Sequence, residues 1–139
     1  MPEIKSMSGV AQAVAVSALR AQQGRMRIIA ENLANADSTS KTPGGDPYRR
    51  QAPVFTPTRV AGGQGVRMSK VDMDQTEFRQ EYEPGHPSAD AKGYVKLPNV
   101  NSLVEALDMR QAQRAYEANL NVIETARAME MRTLDLLKK

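Results

Sequence analysis

The chain has 139 residues, a length that fits one compact domain, and a modest net charge of +3. It has no cysteine, which excludes disulfide frameworks, thiol chemistry and zinc ribbons, and its two Phe, four Tyr and no Trp argue against a dense aromatic core. Arg49 and Arg50 adjoin Tyr48, but no clustered basic face with several aromatics accompanies them, so nucleic-acid binding is disfavoured.

The first predicted element is a helix over about residues 8–34. A mostly apolar stripe recurs at intervals of four and three residues, with Gln22 as its polar member: Ala15, Leu19, Gln22, Met26, Ile29 and Leu33. Gly24 weakens the helix interior, and we expect Asn35 to end the helix in a left-handed conformation. The residues before this helix lack the layout of a secretory signal peptide, and no apolar run is long enough to span a bilayer.

The middle of the chain is rich in residues that interrupt regular structure. Seven of the eight prolines and seven of the nine glycines lie between residues 36 and 98. Partial alternation of apolar and polar residues predicts short strands over 53–56, 66–71 and 76–82, enough for a small hairpin or two. We expect loops to connect them.

The last predicted element is a second long helix, because residues 99–139 contain neither proline nor glycine. Asn101 and Ser102 are candidate N-caps, and Ser102 with Glu105 has the spacing of a capping box. Two neighbouring stripes follow intervals of four and three residues and include polar positions such as Asn119, Arg127 and Glu130.

These elements predict a mainly α fold. The N- and C-terminal helices would form an antiparallel, coiled-coil-like pair, with a Pro/Gly-rich middle segment of loops and short β-hairpin strands. The expected divisions are an N-terminal helix over 1–35, a middle segment over 36–98 that includes a loop over 42–51, and a C-terminal helix over 99–139. The stripes also fit the core of a folded monomer, but their polar residues favour contacts among several chains.

No residue pattern predicts catalysis. His86 is the one histidine and lies in a Pro-Gly-His-Pro turn, and Glu81 and Glu83 are expected to be solvated strand charges. Asp72 and Asp74 lack the glycine and the distant glutamate of a calcium loop. We therefore predict no catalytic residue, no cofactor, no metal site and no enzymatic activity.

Several motifs resemble those of the flagellar rod and hook protein family. The N-terminal signature covers Ser17–Gln23 and Ala30–Thr39, which contains Asn-Leu-Ala-Asn, and the C-terminal signature covers Met109–Asn121. The family's Tyr-Arg element corresponds to Tyr48–Arg50, displaced by an insert over 40–47. That loop, together with Tyr82–Pro87 and Gly93–Asn101, is similar to the proximal-rod group of the family.

The resemblance implies a structural subunit that assembles helically into the hollow, periplasm-spanning drive shaft of the flagellar basal body. The shaft transmits torque and passes exported subunits. Implied partners are copies of the chain, neighbouring rod proteins of the FlgB, FlgF, FlgG and FliE types, and the flagellar type III export apparatus. No nucleic acid and no transmembrane segment are expected, and export would proceed without a cleaved signal peptide. The terminal helices would line the inner tube, and the middle segment would face outward.

The assembly interface predicted from the stripes and the resemblance comprises sixteen residues: Leu19, Met26, Ile29, Asn32, Leu33, Asn35, Tyr48, Arg49, Arg50, Tyr116, Asn119, Leu120, Ile123, Met129, Leu134 and Leu137. Two other hypotheses remain open at this point. One is a binding module, such as an export adaptor or a coiled-coil scaffold that stays outside the polymer. The other is an enzyme acting on peptidoglycan, which would need an acid such as Glu81 or Glu83 in a cleft.

Overall fold

The computed structural model describes residues 2–138, with side chains from residue 7 onward. Over this range the elements are α1 (Pro2–Ala34), β1 (Gln51–Val60), β2 (Gly63–Met73), β3 (Arg79–Tyr82), β4 (Tyr94–Leu97) and α2 (Ser102–Leu137). The strands form two two-stranded sheets, β1 with β2 and β3 with β4. Long helices therefore stand at both ends of the sequence, as predicted.

The predicted mainly α fold class is wrong, because the middle of the chain is built from strands rather than from loops with short strands. β1 and β2 are 10 and 11 residues long. β1 contains Pro53 and Pro57, but each strand of a two-stranded sheet has a free edge, where proline costs no ladder hydrogen bond. The two prolines are four residues apart, so their nitrogens face the same edge. The fold is mixed α and β.

A tight turn closes the hairpin of β1 and β2. Ala61 and Gly62, the two residues between the strands, both have positive φ, 51° and 86°. Two consecutive positive φ values define the type I′ turn, whose twist matches that of antiparallel strands. The loop length and the turn conformation together fix the register of the hairpin.

The chain divides into two compact units. The first contains residues up to Met26, the hairpin segment Val54–Lys70 and residues from Arg110 onward. Here the hairpin packs closely on α1. A Cβ at Gly63 would lie 2.6 Å from Val10 Cγ1, and the Val66 amide donates a hydrogen bond to Ser17 Oγ at 3.2 Å.

Small residues dominate the core of the first unit. Its buried apolar side chains are Ala15, Ala21, Ala112, Ile123 and Ala126. Alanine lets neighbouring backbones approach closely, which suits the packing of long elements side by side. α1 therefore packs against a strand hairpin as well as against α2, whose Gln111 accepts a hydrogen bond from Arg25 at 3.2 Å. The predicted antiparallel pair of terminal helices did not include this hairpin.

The second unit contains Arg27–Pro53 and Val71–Met109. Its sheet is antiparallel, with β3 and β4 paired from Arg79 opposite Leu97 to Tyr82 opposite Tyr94. The buried apolar side chains of this unit are Ile28, Ile29, Ala36, Val95 and Val100. Its buried polar side chains are Asn32, Ser88 and Glu105.

One of the two predicted N-caps of α2 is confirmed, whereas the predicted capping box and the predicted end of α1 are wrong. Asn101 is the N-cap of α2, because its Oδ1 accepts hydrogen bonds from the amides of Leu103 and Val104 at 3.1 and 3.4 Å. The predicted capping box is wrong, since Glu105 bonds elsewhere. Asn35 is not left-handed, because Ala61 is the one non-glycine residue with positive φ in the described range. Instead its side-chain amide donates to the Glu31 carbonyl at 2.9 Å.

Candidate functional site

The centre of the second unit is a polar network, defined here as Asn32, Tyr48, Arg50, Asp74, Asn99 and Glu105. Asn32 lies near the end of α1 and is fully buried, with 0% of its surface exposed. Its Nδ2 donates to the Gln51 carbonyl at 2.8 Å and to Glu105 Oε2 at 3.4 Å. Its Oδ1 accepts from the Tyr48 hydroxyl at 2.7 Å and from the Gln51 amide at 3.0 Å. All four hydrogen-bonding positions of this amide are therefore satisfied within the chain.

A cation neutralises the buried carboxylate of the network. Glu105, in the first turn of α2, is only 1% exposed, and Arg50 Nε donates a hydrogen bond to its Oε1. Arg50 also lies 3.4 Å from Asp74 and 4.0 Å from Asp108 through its Nη atoms. Burial lowers the pKa of Arg50, but its hydrogen bond to Glu105 and the charges of Glu105 and Asp74 outweigh burial and leave that pKa above its ordinary value.

The backbone around Arg50 is held by a second asparagine. The Arg50 amide donates to Asn99 Oδ1 at 2.7 Å, and Asn99 Nδ2 donates to the carbonyls of Asp74 and Thr76 at 3.0 and 3.1 Å. The Asp74 carboxylate accepts the Thr76 amide at 2.9 Å. This backbone hydrogen bond, with help from the Thr76 hydroxyl and Arg50, lowers the pKa of Asp74 below its usual value.

Arg49 holds the same turn from the other side. Its Nη1 donates to the Asp74 and Thr76 carbonyls at 2.8 and 3.1 Å, and its guanidinium carbon lies 4.2 Å from the centre of the Phe78 ring. The pKa of Tyr48 is raised by burial and by the negative charges of Glu31 and Glu105, so its hydroxyl remains a neutral donor to Asn32. The network thus holds four separate chain segments together through satisfied polar groups.

Other polar residues of this unit make local contacts. His86 Nδ1 accepts the Ser88 amide at 3.0 Å inside a turn, and Glu81 and Glu83 are exposed beside it in sequence. Within the described residues no three His, Cys, Asp or Glu side chains converge as metal ligands would. Between residues 2 and 138, neither helix has the length and apolar character needed to cross a bilayer.

The first unit presents a different feature, an exposed apolar stripe on α2. Val122, Met129 and Leu136 follow one another at seven-residue intervals and are 47%, 62% and 75% exposed. Seven residues are close to two helical turns, so the three side chains lie on one face. Of the fifteen exposed large apolar residues among those described, ten lie on α2. A stripe of this kind is typical of a helix that contacts another chain.

Comparisons with known proteins identify the family. A family model described as "Flagella basal body rod protein" matches residues 13–40, and one described as "Flagellar basal body rod FlgEFG protein C-terminal" matches residues 91–136. The flagellar basal-body rod protein FlgC of Agrobacterium fabrum is 48% identical over 130 residues, covering 92% of this chain and 94% of the relative. The chain belongs to the FlgC family of flagellar basal-body rod proteins. The FlgC proteins of Borreliella burgdorferi and Escherichia coli O6:H1 are 42% and 44% identical, over 90% and 88% of this chain and 94% and 92% of theirs.

Membership of the FlgC family confirms the identification made from the motifs. The chain is a structural protein of the flagellar basal-body rod, as predicted. The two segments matched by the family models meet in the polar network, where Asn32 of the first lies 3.4 Å from Glu105 of the second. The two segments that the family models match are therefore in direct contact.

The structure sorts the sixteen predicted interface residues of this FlgC-family chain into three groups. Three are buried by contacts within the chain: Ile29, Asn32 and Ile123. Nine are half-buried: Leu19, Met26, Leu33, Asn35, Tyr48, Arg49, Arg50, Tyr116 and Asn119. Four are exposed: Leu120, Met129, Leu134 and Leu137. The structure brings Asn32, Tyr48 and Arg50 together, whereas the exposed residues of α2 have no part in that cluster.

Sequence reasoning missed several residues that the structure makes prominent in this FlgC-family member. Glu105 was assigned to a helix cap, although it is the buried carboxylate that holds Arg50 and Asn32. Asn99 and Asp74 were not selected either. A glutamate at the first turn of a helix gives the same local pattern whether it caps the helix or pairs with a distant arginine, so no local signal distinguished the two.

Proposed function

We propose that this chain assembles helically, with copies of itself and with rod proteins of the FlgB, FlgF, FlgG and FliE types, into the hollow rod that crosses the periplasm. The rod transmits torque and passes exported subunits. The chain reaches it through the flagellar type III export apparatus without a cleaved signal peptide. The observation that carries the proposal is the exposed stripe of Val122, Met129 and Leu136 on a chain of the FlgC family.

Exposed apolar surface on α2 favours association. Burying apolar area contributes about 25 cal/mol per Å² removed from water, so three large side chains left exposed along one helix face favour association. When two different patches of a subunit meet with a screw rotation, the result is an open filament rather than a closed ring. A rod requires this kind of contact.

The same proposal assigns different positions in the rod to different segments of the chain. The terminal segments 1–35 and 99–139 line the inner tube, and the segment 36–98, including the loop over 42–51, faces outward. The sixteen predicted interface residues are proposed to act in two ways. The exposed ones contact neighbouring subunits, and the buried or half-buried ones, such as Asn32 and Arg50, hold the surface in shape.

The proposed role is non-enzymatic. The polar groups of the network satisfy one another, and the relatives are rod proteins, which supports a chain that acts by binding its neighbours. Exposed Glu81 and Glu83 on or beside β3 are proposed to be solvated charges with no catalytic part.

Purified basal bodies provide the test. A tagged copy of the chain, produced in cells that lack their own FlgC, should restore motility and appear in several copies within the rod density. A single copy at one end of the rod would indicate an adaptor instead. Absence from the rod, with the tagged chain still produced and exported, would overturn the proposal.

A further inference from the structure

A shallow apolar groove lies in the first unit, between α1 and the β1–β2 hairpin. Its apolar lining consists of Ala13, Val16, Ala21, Val60, Val66 and Met68. Arg20 on α1 and Arg67 on β2 also line it, and both are exposed. Among the described residues neither guanidinium has a hydrogen bond or an ion pair. The groove therefore combines unfilled apolar surface with two unpaired positive charges.

This combination defines the chemistry of an occupant. An apolar ridge would fill the groove, and carboxylates beside the ridge would pair with the two arginines, each of which can form bidentate hydrogen bonds. An amphipathic helix with acidic residues along one edge of its apolar face has both features, since such helices commonly lie in apolar grooves.

The same chain carries a helix face of this description. Leu120 and Met131 of α2 are 39% and 61% exposed. Glu117, Glu124 and Asp135 occur at intervals that place them on the same side of the helix, and all three are exposed with no ion pair among the described residues. Leu120 and Met131 are about 16 Å apart along the helix axis, compared with about 12 Å for the α1 wall between Ala13 and Ala21. The lengths of ridge and groove are comparable.

A different face of α2 holds the helix in its own unit. Ile123 and Ala126 are both 9% exposed, whereas Leu120 and Met131 remain open to solvent. The acidic face is therefore available to another molecule while α2 keeps its place. Two complementary surfaces on one unit, made from different residues, permit a head-to-tail contact that repeats from copy to copy.

We propose that the Leu120–Met131 face of α2 in one copy docks into the α1–hairpin groove of a second copy, with Arg20 and Arg67 facing Glu117, Glu124 and Asp135 of the docked helix. This inference rests on the proposed rod function and names the partner and the surfaces of one subunit contact. Each docked copy leaves one groove and one helix face open, so the contact can propagate.

Disulfide cross-linking tests the contact, because the chain contains no cysteine of its own. A Thr58→Cys chain, altered in the groove, is mixed with a Met131→Cys chain and oxidised with copper phenanthroline. Arg59→Cys is the matched control, since Arg59 adjoins Thr58 on β1, is exposed and is absent from the groove lining. The Thr58→Cys mixture should yield at least about tenfold more heterodimer than the Arg59→Cys mixture.

Charge reversal provides a second test of the same contact. Adding Arg20→Glu and Arg67→Glu to the Thr58→Cys chain should lower the heterodimer yield about tenfold, and adding Glu117→Arg and Glu124→Arg to the Met131→Cys chain should restore it. Equal yields from Thr58→Cys and Arg59→Cys, or yields unaffected by charge reversal, would overturn the docking.

Cross-linking in purified basal bodies separates this inference from the proposed function. Cells producing one chain with both Thr58→Cys and Met131→Cys should give dimers and higher ladders within the rod. If the chain is present in the rod but forms no ladder, or links through Thr58→Cys only to another protein, the docking fails and the rod function stands. If the chain is absent from the rod, the proposed function itself fails.

Discussion

The polar network of the second unit is built around buried side chains, whereas the C-terminal half of α2, in the first unit, leaves large apolar side chains exposed. In the network even a fully buried asparagine finds all of its partners inside the chain. On α2, large apolar side chains such as Met129 and Leu136 remain more than half exposed. The contrast indicates that the network stabilises the second unit, whereas the exposed stripe of α2 is proposed to contact neighbouring subunits. Substitutions in the network should cost stability, and substitutions on the exposed stripe should cost assembly.

The largest effect on stability is expected for Arg50→Met. Removing the guanidinium leaves the carboxylate of Glu105, which is 1% exposed, without its cation. Breaking a buried ion pair in this way costs about 3–5 kcal/mol of unfolding free energy. Urea denaturation followed by circular dichroism measures it. Arg59→Met is the control, because Arg59 is exposed and has no ionic partner among the described residues, and it should change stability by less than about 0.5 kcal/mol. Equal effects from the two substitutions would contradict the structural role of the network.

The next effect is expected for Asn32→Ala. The change leaves the Tyr48 hydroxyl and the Gln51 amide without Asn32 Oδ1, the acceptor of their hydrogen bonds. The expected cost is about 2–3 kcal/mol of unfolding free energy. Asn35→Ala is the matched control, because Asn35 belongs to the same sequence block and its side chain bonds only the Glu31 carbonyl at the helix end. Its cost should stay below about 1 kcal/mol. The two urea midpoints should therefore differ clearly, and a larger loss for Asn35→Ala would contradict the assignment.

A smaller effect is expected on the pH dependence of stability. The pKa of Asp74 is lowered in the folded chain, so its contribution is complete above the unfolded pKa of about 3.9 and is lost as the pH falls through the folded value. The urea midpoint should be steady from about pH 7 to 5 and fall below about pH 4. Asp74→Asn should lower the midpoint at pH 7 and reduce its fall in acid. An unchanged acid profile in this variant would show that Asp74 takes no part.

The sequence revealed features that depend on local contacts better than features that depend on residues distant in the sequence. The periodicity of Ile29 and Ile123 predicted helices at both ends, and Asn101 was recognised as a cap candidate because capping is local. The hairpin was underestimated because Pro53 and Pro57 weaken the strand pattern. In a two-stranded sheet each strand has a free edge, which tolerates proline.

The network and the stripe were harder to predict for a different reason. Asn32 and Glu105 are 73 residues apart, and no local pattern connects them. Ile123 and Met129 looked equivalent in the sequence because both lie on apolar stripes, yet one is 9% exposed and the other 62%. Periodicity indicates that a helix has an apolar face but not which chain covers it. Ile123→Asp should therefore destabilise the first unit rather than act on assembly alone.

Substitutions on the exposed stripe should have the smallest effect on stability and the largest effect on assembly. Val122→Asp together with Met129→Asp places two charges on the exposed stripe, where they remain solvated in the free chain. The unfolding free energy should change by less than about 1 kcal/mol. Asn121→Asp is the control, because it adds a charge at an exposed neighbouring position off the stripe.

The most direct measurement is the amount of each variant in purified basal bodies, compared with the amount exported and with the urea midpoint of the purified chain. We expect the chain with Val122→Asp and Met129→Asp to fold and to be exported normally but to be missing from the rods, whereas the Asn121→Asp chain should be present at the native level. Normal rods containing the doubly substituted chain would contradict the claim that the exposed face of α2 is an assembly surface.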